Sequence, residues 1–202
     1  MDNNQIFSIF CWNIGNPSLE RARKQADWLL KRSENVFVLT EAKRSDGCSY
    51  IKKFFENNGY NVVSQDMKVK DYGTMIINKN VFEKNKFADA IDFLPSRVAA
   101  INLNLPQGKV EIIGLYVPSR NNDTDKIKRK KTFIEKVSGA IKNIPAPNFR
   151  IVCGDFNILE PTHYPHYSFF QDWEYEFYNN LTESEMVDAF RFLSPDNKEY
   201  SW

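Results

Sequence analysis

The sequence predicts an α+β protein in which two mixed or antiparallel sheets pack together under covering helices. Three observations carry that expectation. Short apolar runs such as Val36-Phe-Val-Leu39 and Ile151-Val-Cys153 read as strands buried on both faces. Between such runs lie stretches with the 3.6-residue periodicity of amphipathic helices. Several neighbouring strands are joined by tight turns, which excludes a purely parallel sheet. The chain has 202 residues and no linker, repeat or low-complexity tract, so a single domain over residues 1–202 is expected.

Ile6 to Trp12 is nearly all apolar and closes with Asn13-Ile-Gly15-Asn-Pro17, a strand and then a turn. Ser18 can cap a helix with Leu19, Ala22, Ala26, Leu29 and Leu30 on one face. Val36 to Leu39 is a second buried strand and runs into Thr40-Glu41-Ala-Lys43. A helix from Asp46 to Asn58 is stopped by Gly59, and Tyr60 to Val63 resumes extended chain. Tyr72 to Ile77 and Val98 to Leu105 are strands, the latter alternating enough to leave one face wet. Pro106-Gln-Gly108 then turns it into a hairpin with Val110 to Val117. Asp123 or Thr124 starts a long helix with Phe133, Ile134, Val137 and Ile141 inside. Its other face, Lys126-Ile-Lys-Arg-Lys-Lys131, is most simply solvated, with phosphate contact as the sharper alternative. After the strand ending near Gly154 come the loop Glu160-Pro-Thr-His163-Tyr-Pro-His166 and an aromatic segment from Phe169 to Tyr178. Thr182-Glu-Ser-Glu185 reads as a capping box leading into Met186 to Phe190.

Sixteen Phe, nine Tyr and four Trp argue for a packed globular protein. The formal net charge of +1 gives no general basic field, so a polyanion would have to be held by a local patch or a metal. Cys11, Cys48 and Cys153 leave an odd count, which fits a reducing compartment. Met1-Asp-Asn-Asn-Gln5 lacks the basic start of a signal peptide, and no apolar run reaches membrane-span length. A cytoplasmic monomer is expected.

Chemistry concentrates at strand ends. In Arg150-Ile-Val-Cys-Gly-Asp155-Phe-Asn157-Ile158, Asp155 and Asn157 are two apart, so on extended chain they share a side. An acid that takes a proton from water, beside an amide that orients it, suits hydrolysis. Gly-Asp-x-Asn is equally ordinary turn chemistry, and both readings stand on the sequence alone. Asn13, Glu41 and Tyr116 also close apolar strands, and polar groups at separated strand ends suit one shared cleft. His163 and His166, the only histidines, invite a zinc or phosphate role, with loop structure as the plainer explanation.

Phe10-Cys-Trp-Asn13, Leu39-Thr-Glu41, Tyr72-Gly-Thr, Leu115-Tyr116-Val-Pro118, Gly154-Asp155-Phe-Asn157 and Val187-Asp-Ala-Phe-Arg191 together resemble the endonuclease/exonuclease/phosphatase superfamily. The likeness is greatest to the exodeoxyribonuclease III and apurinic/apyrimidinic endonuclease branch, and the motifs run in that branch's order. The resemblance implies a four-layer αββα sandwich of two mixed, mostly antiparallel sheets. It also implies cleavage of a phosphoester by water with Mg2+ or Mn2+. Glu41 would be the main metal ligand with Asn13 beside it. Asp155 would accept the proton of the attacking water, Asn157 would hold water or a phosphate oxygen, and Tyr116 would sit at the phosphate. The segment from Leu159 to Tyr167 resembles a substrate-contacting loop of some bacterial members, which makes His163 and His166 candidate substrate contacts. Arg120, Lys43, Arg44 and the Lys126 to Lys131 cluster would form a local footprint for DNA. Family members normally end with a Ser-Asp-His motif, and this sequence stops before it, at Tyr200-Ser-Trp202. A truncated form lacking the last strands is the expectation.

The leading expectation is therefore a DNA nuclease acting at abasic sites or 3′ ends. The alternatives are a phosphodiesterase on a lipid headgroup or small phosphoester, and a catalytically inactive nucleic-acid-binding protein.

Overall fold

A computed structural model describes residues 6–165, 167–197 and 199. Among these, eight strands form two four-stranded sheets. The first contains β1 (Ile9–Asn13), β2 (Val36–Lys43), β3 (Asn61–Val63) and β4 (Tyr72–Asn78), in the spatial order β1-β2-β4-β3. The second contains β5 (Phe82–Lys84), β6 (Val98–Leu105), β7 (Gly108–Tyr116) and β8 (Phe149–Asp155), in chain order. Pairs β1/β2 and β7/β8 are parallel and the others antiparallel, so both sheets are mixed. The expected hairpin is present, with Leu105 opposite Gly108 across the turn.

Three apolar cores define four layers. Helices α1 (Leu19–Leu30) and α2 (Asp46–Asn57) cover the outer face of the first sheet. There Ala22, Ala26, Leu29, Ile51 and Phe55 pack on Phe37, Leu39, Met75 and Ile77. Val36, Val38 and Ile76 point the other way and meet Ala99, Ile101, Leu103 and Ile112 between the sheets. The period of two along β2 thus feeds two cores at once, which is why its sequence is apolar without a break. On the far side, Val98, Ala100, Ile113 and Leu115 pack under α3 (Lys86–Asp89), α4 (Thr124–Asn143) and α5 (Asp172–Glu183) through Phe87, Phe133, Ile134, Val137 and Phe177. The architecture is an αββα sandwich, as expected from the motifs.

Several local expectations hold and others are corrected. The Ser18 hydroxyl and the Asp123 carboxylate cap α1 and α4 by accepting from Arg21 and Lys126 N–H. The capping box does not lie at Thr182 to Glu185. Phe177 and Leu181 keep the first of these residues inside α5, while α6 (Ala189–Leu193) starts later, capped by Asp188. The capping box present is Gln171 with Glu174, at the start of α5. β6 is buried on both faces from Val98 to Ile101, because one face meets the other sheet and the other meets helices. Cys11, on the edge strand β1, is exposed. Among the described residues no helix is long and apolar enough to cross a membrane.

Candidate active site

The two parallel pairs determine where the polar strand ends fall. β1 beside β2, and β7 beside β8, put four C-terminal ends on one edge of the sandwich. Asn13 pairs in register with Thr40, next to Glu41, and Tyr116 pairs with Asp155. The packing of one sheet on the other then closes the gap. Asn13 Nδ2 donates to Asp155 Oδ2 at 2.9 Å, across 142 positions of sequence, and Tyr116 OH donates to Glu41 Oε1 at 3.0 Å.

Asp155 is held at both oxygens, since Oδ1 accepts from the Asn157 backbone N–H at 3.1 Å. That bond is an Asx turn, so the turn chemistry read from the sequence and the proton-accepting role occupy the same residues. The Asn157 amide donates to Val117 O at 2.9 Å, which fixes the loop after β8 to the end of β7. Asn13 Oδ1 accepts from Gly15 N at 3.0 Å. Glu41 and Asn157 adopt left-handed backbone, φ +56° and +47°, unusual for residues with a side chain. Such conformations cost on the order of 1–3 kcal/mol each and persist only where the surroundings impose them. At Glu41 the cause is visible: the β2/β4 register breaks between Leu39 and Ala42, and the bulge turns the carboxylate toward the cleft.

Gly154 is required by its neighbour. A Cβ there would lie 1.9 Å from Leu115 O, and its φ is +142°. The strand can therefore deliver Asp155 alongside Tyr116 only with glycine at this position.

Burial pushes the Asp155 carboxyl above its ordinary range and the nearby Glu41 carboxylate adds to this, against the opposing hydrogen bonds from Asn13 and Asn157. Burial, and then Glu41, raise Tyr116 well above the usual phenol value, so it is a protonated donor at neutral pH. Arg97 donates to Tyr116 O at 3.0 Å and lies 4.3 Å from the centre of the tyrosine ring. Burial, with the Arg129 charge second, lowers Arg97 to about 10.

A cleft of about 380 Å³ opens beside Glu41 and Tyr116, bordered also by Tyr72, Lys70, Arg97, Lys126 and Arg129. Arg97 and Lys70 were not anticipated from the sequence. The signal that could have led to Arg97 is the Tyr72-Gly-Thr motif. Thr74 Oγ1 donates to Arg97 O at 3.0 Å, Ser96 Oγ donates to Tyr72 O at 2.9 Å, and a Cβ on Gly73 would lie 2.7 Å from Ser96 O. The motif thus seats the turn Pro95–Arg97 on β4.

Two expectations change. Arg120 borders the cleft, but its guanidinium is spent on Glu174 and on Phe169 O, with the side chain 1% exposed, so it is not a free phosphate contact. Lys130, expected on a solvated helix face, is also 1% exposed; its ammonium donates to Glu174 and, at 2.6 Å, to Asn157 O. Lys130, Glu174 and Arg120 form a buried triad that clamps the loop carrying Asn157. His163 is buried with its ring 5.6 Å from Tyr167, and His166 lies outside the described residues.

The donors around Glu41 suit a hard cation. Glu41 commits Oε1 to Tyr116 and keeps Oε2 available, and the Asn13 carbonyl has a second lone pair. No cluster of three or more His, Cys, Asp or Glu able to hold a metal occurs among the described residues. One carboxylate with an amide oxygen beside it fits an ion such as Mg2+ that keeps most of its water.

No family model and no curated relative matches the sequence. Solved structures do match in fold. An AP endonuclease from Archaeoglobus fulgidus aligns at a TM-score of 0.71 and 20% identity, over 96% of this chain and 77% of that one. The 3′ phosphatase NExo from Neisseria, bound to a product DNA hairpin, aligns at 0.79 and 20% identity over 98% and 78%. The 3′-5′ exonuclease NExo of Neisseria meningitidis aligns at 0.76 and 21% identity over 96% and 77%. The six motifs and the coordinates thus agree, and the chain has the αββα fold shared by these nucleases and phosphatases.

Proposed function

We propose that the protein is a metal-dependent phosphodiesterase of DNA, hydrolysing phosphoester bonds at abasic sites or 3′ ends by in-line attack of an activated water. The observation that carries this reading is the meeting of Asn13 with Asp155 at 2.9 Å, beside the Tyr116–Glu41 bond, from four strand ends distant in sequence. The fold neighbours, an AP endonuclease and a 3′ phosphatase/exonuclease, support the choice of DNA.

In this mechanism Asp155 accepts the proton of the attacking water. Asn13 and the Asn157 N–H fix the direction of its carboxylate, and its raised proton affinity brings it nearer the range of an effective base at neutral pH. Tyr116, kept protonated, donates to a phosphoryl oxygen when substrate displaces its bond to Glu41. Glu41, with Asn13 beside it, holds Mg2+ or Mn2+, which supplies Lewis-acid stabilisation of the charge developing on the phosphoryl oxygens and leaving group.

The test is incubation with Mg2+ of duplex DNA carrying an abasic site, and of a strand ending in a 3′-phosphate, alongside Asp155→Asn and Glu41→Ala. Cleavage or phosphate release by the wild type, lost in both variants, is expected. Tight binding of DNA that stays intact would instead favour the inactive nucleic-acid-binding alternative.

A further inference from the structure

Strand alternation places a pair of thiols beneath the candidate active site. Along β1, Phe10 and Trp12 pack on the helix-covered side of their sheet, so Ile9, Cys11 and Asn13 face the other sheet. Along β8, Val152 packs under the helices, while Ile151 and Cys153 enter the core between the sheets and Asp155 follows them on the same side. The two strands pack on each other and end at one edge. Asn13 meets Asp155 there at 2.9 Å. Two residues back on each strand, the Cys153 thiol donates a hydrogen bond to the Cys11 sulfur. Cys11 is exposed and Cys153 half-buried, so an outer sulfur within reach of a small oxidant has an inner thiol directly behind it. Cys48 is the contrast. It is buried, its thiol faces Asn16 Oδ1 at 3.9 Å, and its sulfur accepts from the Lys43 N–H at 3.3 Å.

We propose that Cys11 and Cys153 are a peroxide-reactive pair that closes into a reversible disulfide between the two sheets and thereby switches off the site one rung above it. With hydrogen peroxide, the Cys11 sulfur takes one oxygen as the O–O bond breaks, and the departing hydroxide leaves as water with the Cys11 thiol proton. The Cys153 sulfur then attacks the sulfenic sulfur. The S–S bond forms, the S–O bond breaks, and the second hydroxide leaves as water with the Cys153 proton. The two thiols give up two electrons, and one peroxide is reduced to two waters. A dithiol reverses the bond by exchange. Thiols in hydrogen-bond contact keep their sulfurs well beyond the roughly 2.05 Å of a disulfide, so closure draws β1 and β8 together next to Asn13 and Asp155. A displacement of about 1 Å at a reacting centre can cost on the order of 10²-fold in rate. The effect on catalysis rests on the phosphoester reading of the Asp155 site, and the disulfide itself does not.

The test treats the reduced protein, freed of reductant, with hydrogen peroxide. After the peroxide is removed, thiols are alkylated in denaturant and the peptides mapped by mass, while cleavage of abasic-site DNA with Mg2+ is followed in parallel. The expected product is a monomer lighter by two hydrogens, with Cys11 joined to Cys153 and Cys48 still open to alkylation. Cys153→Ser should stop at a sulfenic acid on Cys11 that dimedone traps. Cys48→Ser should behave as wild type. Oxidised wild type should lose on the order of tenfold to a hundredfold in cleavage rate and recover with dithiothreitol. Cys11→Ser, treated in the same way, should keep its rate.

Thiols that all stay free after peroxide, a dimer linked through Cys11, or a bond that includes Cys48 would each overturn the inference. A Cys11–Cys153 disulfide that leaves the rate of a cleaving protein unchanged would overturn the switch. The two readings fail separately. A protein that cleaves no DNA in either state loses the phosphoester function, and its peptide map still decides the disulfide. One that cleaves but forms no such bond does the reverse.

Discussion

Two parts of α4 carry neighbouring basic residues and use them in opposite ways. Lys130 is sealed from water between Glu174 and the Asn157 carbonyl. Arg129, its neighbour in sequence, and Lys126, one turn earlier, border the cleft without a carboxylate partner among the described residues. The paired charge fixes a loop, and the unpaired charges are available to a ligand. Charge count along a helix therefore says little about function until the partner of each residue is known.

The largest effect should come from breaking the paired side. Lys130→Met leaves Glu174 buried with one counter-ion fewer, a change of the kind that costs about 3–5 kcal/mol. The shift in urea midpoint at constant slope measures it. A loss near zero would mean that the triad does not hold the loop.

Next in size is the opposite sign at the unpaired acid. Asp155 is partly buried with Glu41 nearby, and burial outweighs the hydrogen bonds and the weaker attraction of Arg97 that favour its charged form, so Asp155→Asn should stabilise the metal-free protein by about 0.5–2 kcal/mol while removing the proposed base. Thermal unfolding in EDTA reads this directly, and a lower melting temperature would contradict it.

Acidification separates the regions further. Burial alone would raise the Glu174 carboxyl, but the hydrogen bonds from Arg120 and Lys130 outweigh it and hold the group below its ordinary range. Its stabilising contribution is thus fully present above the unfolded glutamate pKa of about 4.3, and is lost as pH falls below that toward the folded value. Denaturant titrations across acidic pH should show this limb in wild type and a flatter one in Glu174→Gln. Unchanged limbs would show that Glu174 is not the linked group. The smallest effect on stability belongs to Lys126→Gln/Arg129→Gln. Removing these unpaired surface charges should move unfolding by no more than about 0.5 kcal/mol, read as the shift in urea midpoint.

The same contrast explains what the sequence revealed. Every described strand but the three-residue β5, and helices α1, α2 and α4, were legible, because unbroken apolar runs such as Val36 to Leu39 and the 3.6-residue period along α4 are written in the residues themselves; β5 and α5 were not read as elements. Asn13, Glu41, Tyr116 and Asp155 were legible as polar ends of apolar strands. The burial of Lys130 was not, because its partner Glu174 lies 44 positions away and nothing in Lys-Arg-Lys-Lys distinguishes the third basic residue from its neighbours. Arg120 misled for the same reason. Arg97 escaped notice because its place depends on Gly73 and Thr74 from another strand. The supposed capping box at Thr182 matched a local pattern that the apolar face of α5 overrides.

The most direct measurement for the account is a double-mutant cycle on kcat with Glu41→Gln and Asp155→Asn, using Mg2+ and abasic-site DNA. If the two carboxylates serve one reacting centre, each single change should cost on the order of 10²–10⁴ in rate, and the double variant should lose far less than the product of the two. Single variants that cleave like wild type, or losses that multiply as they would for independent sites, would contradict the convergence on which the proposed chemistry depends.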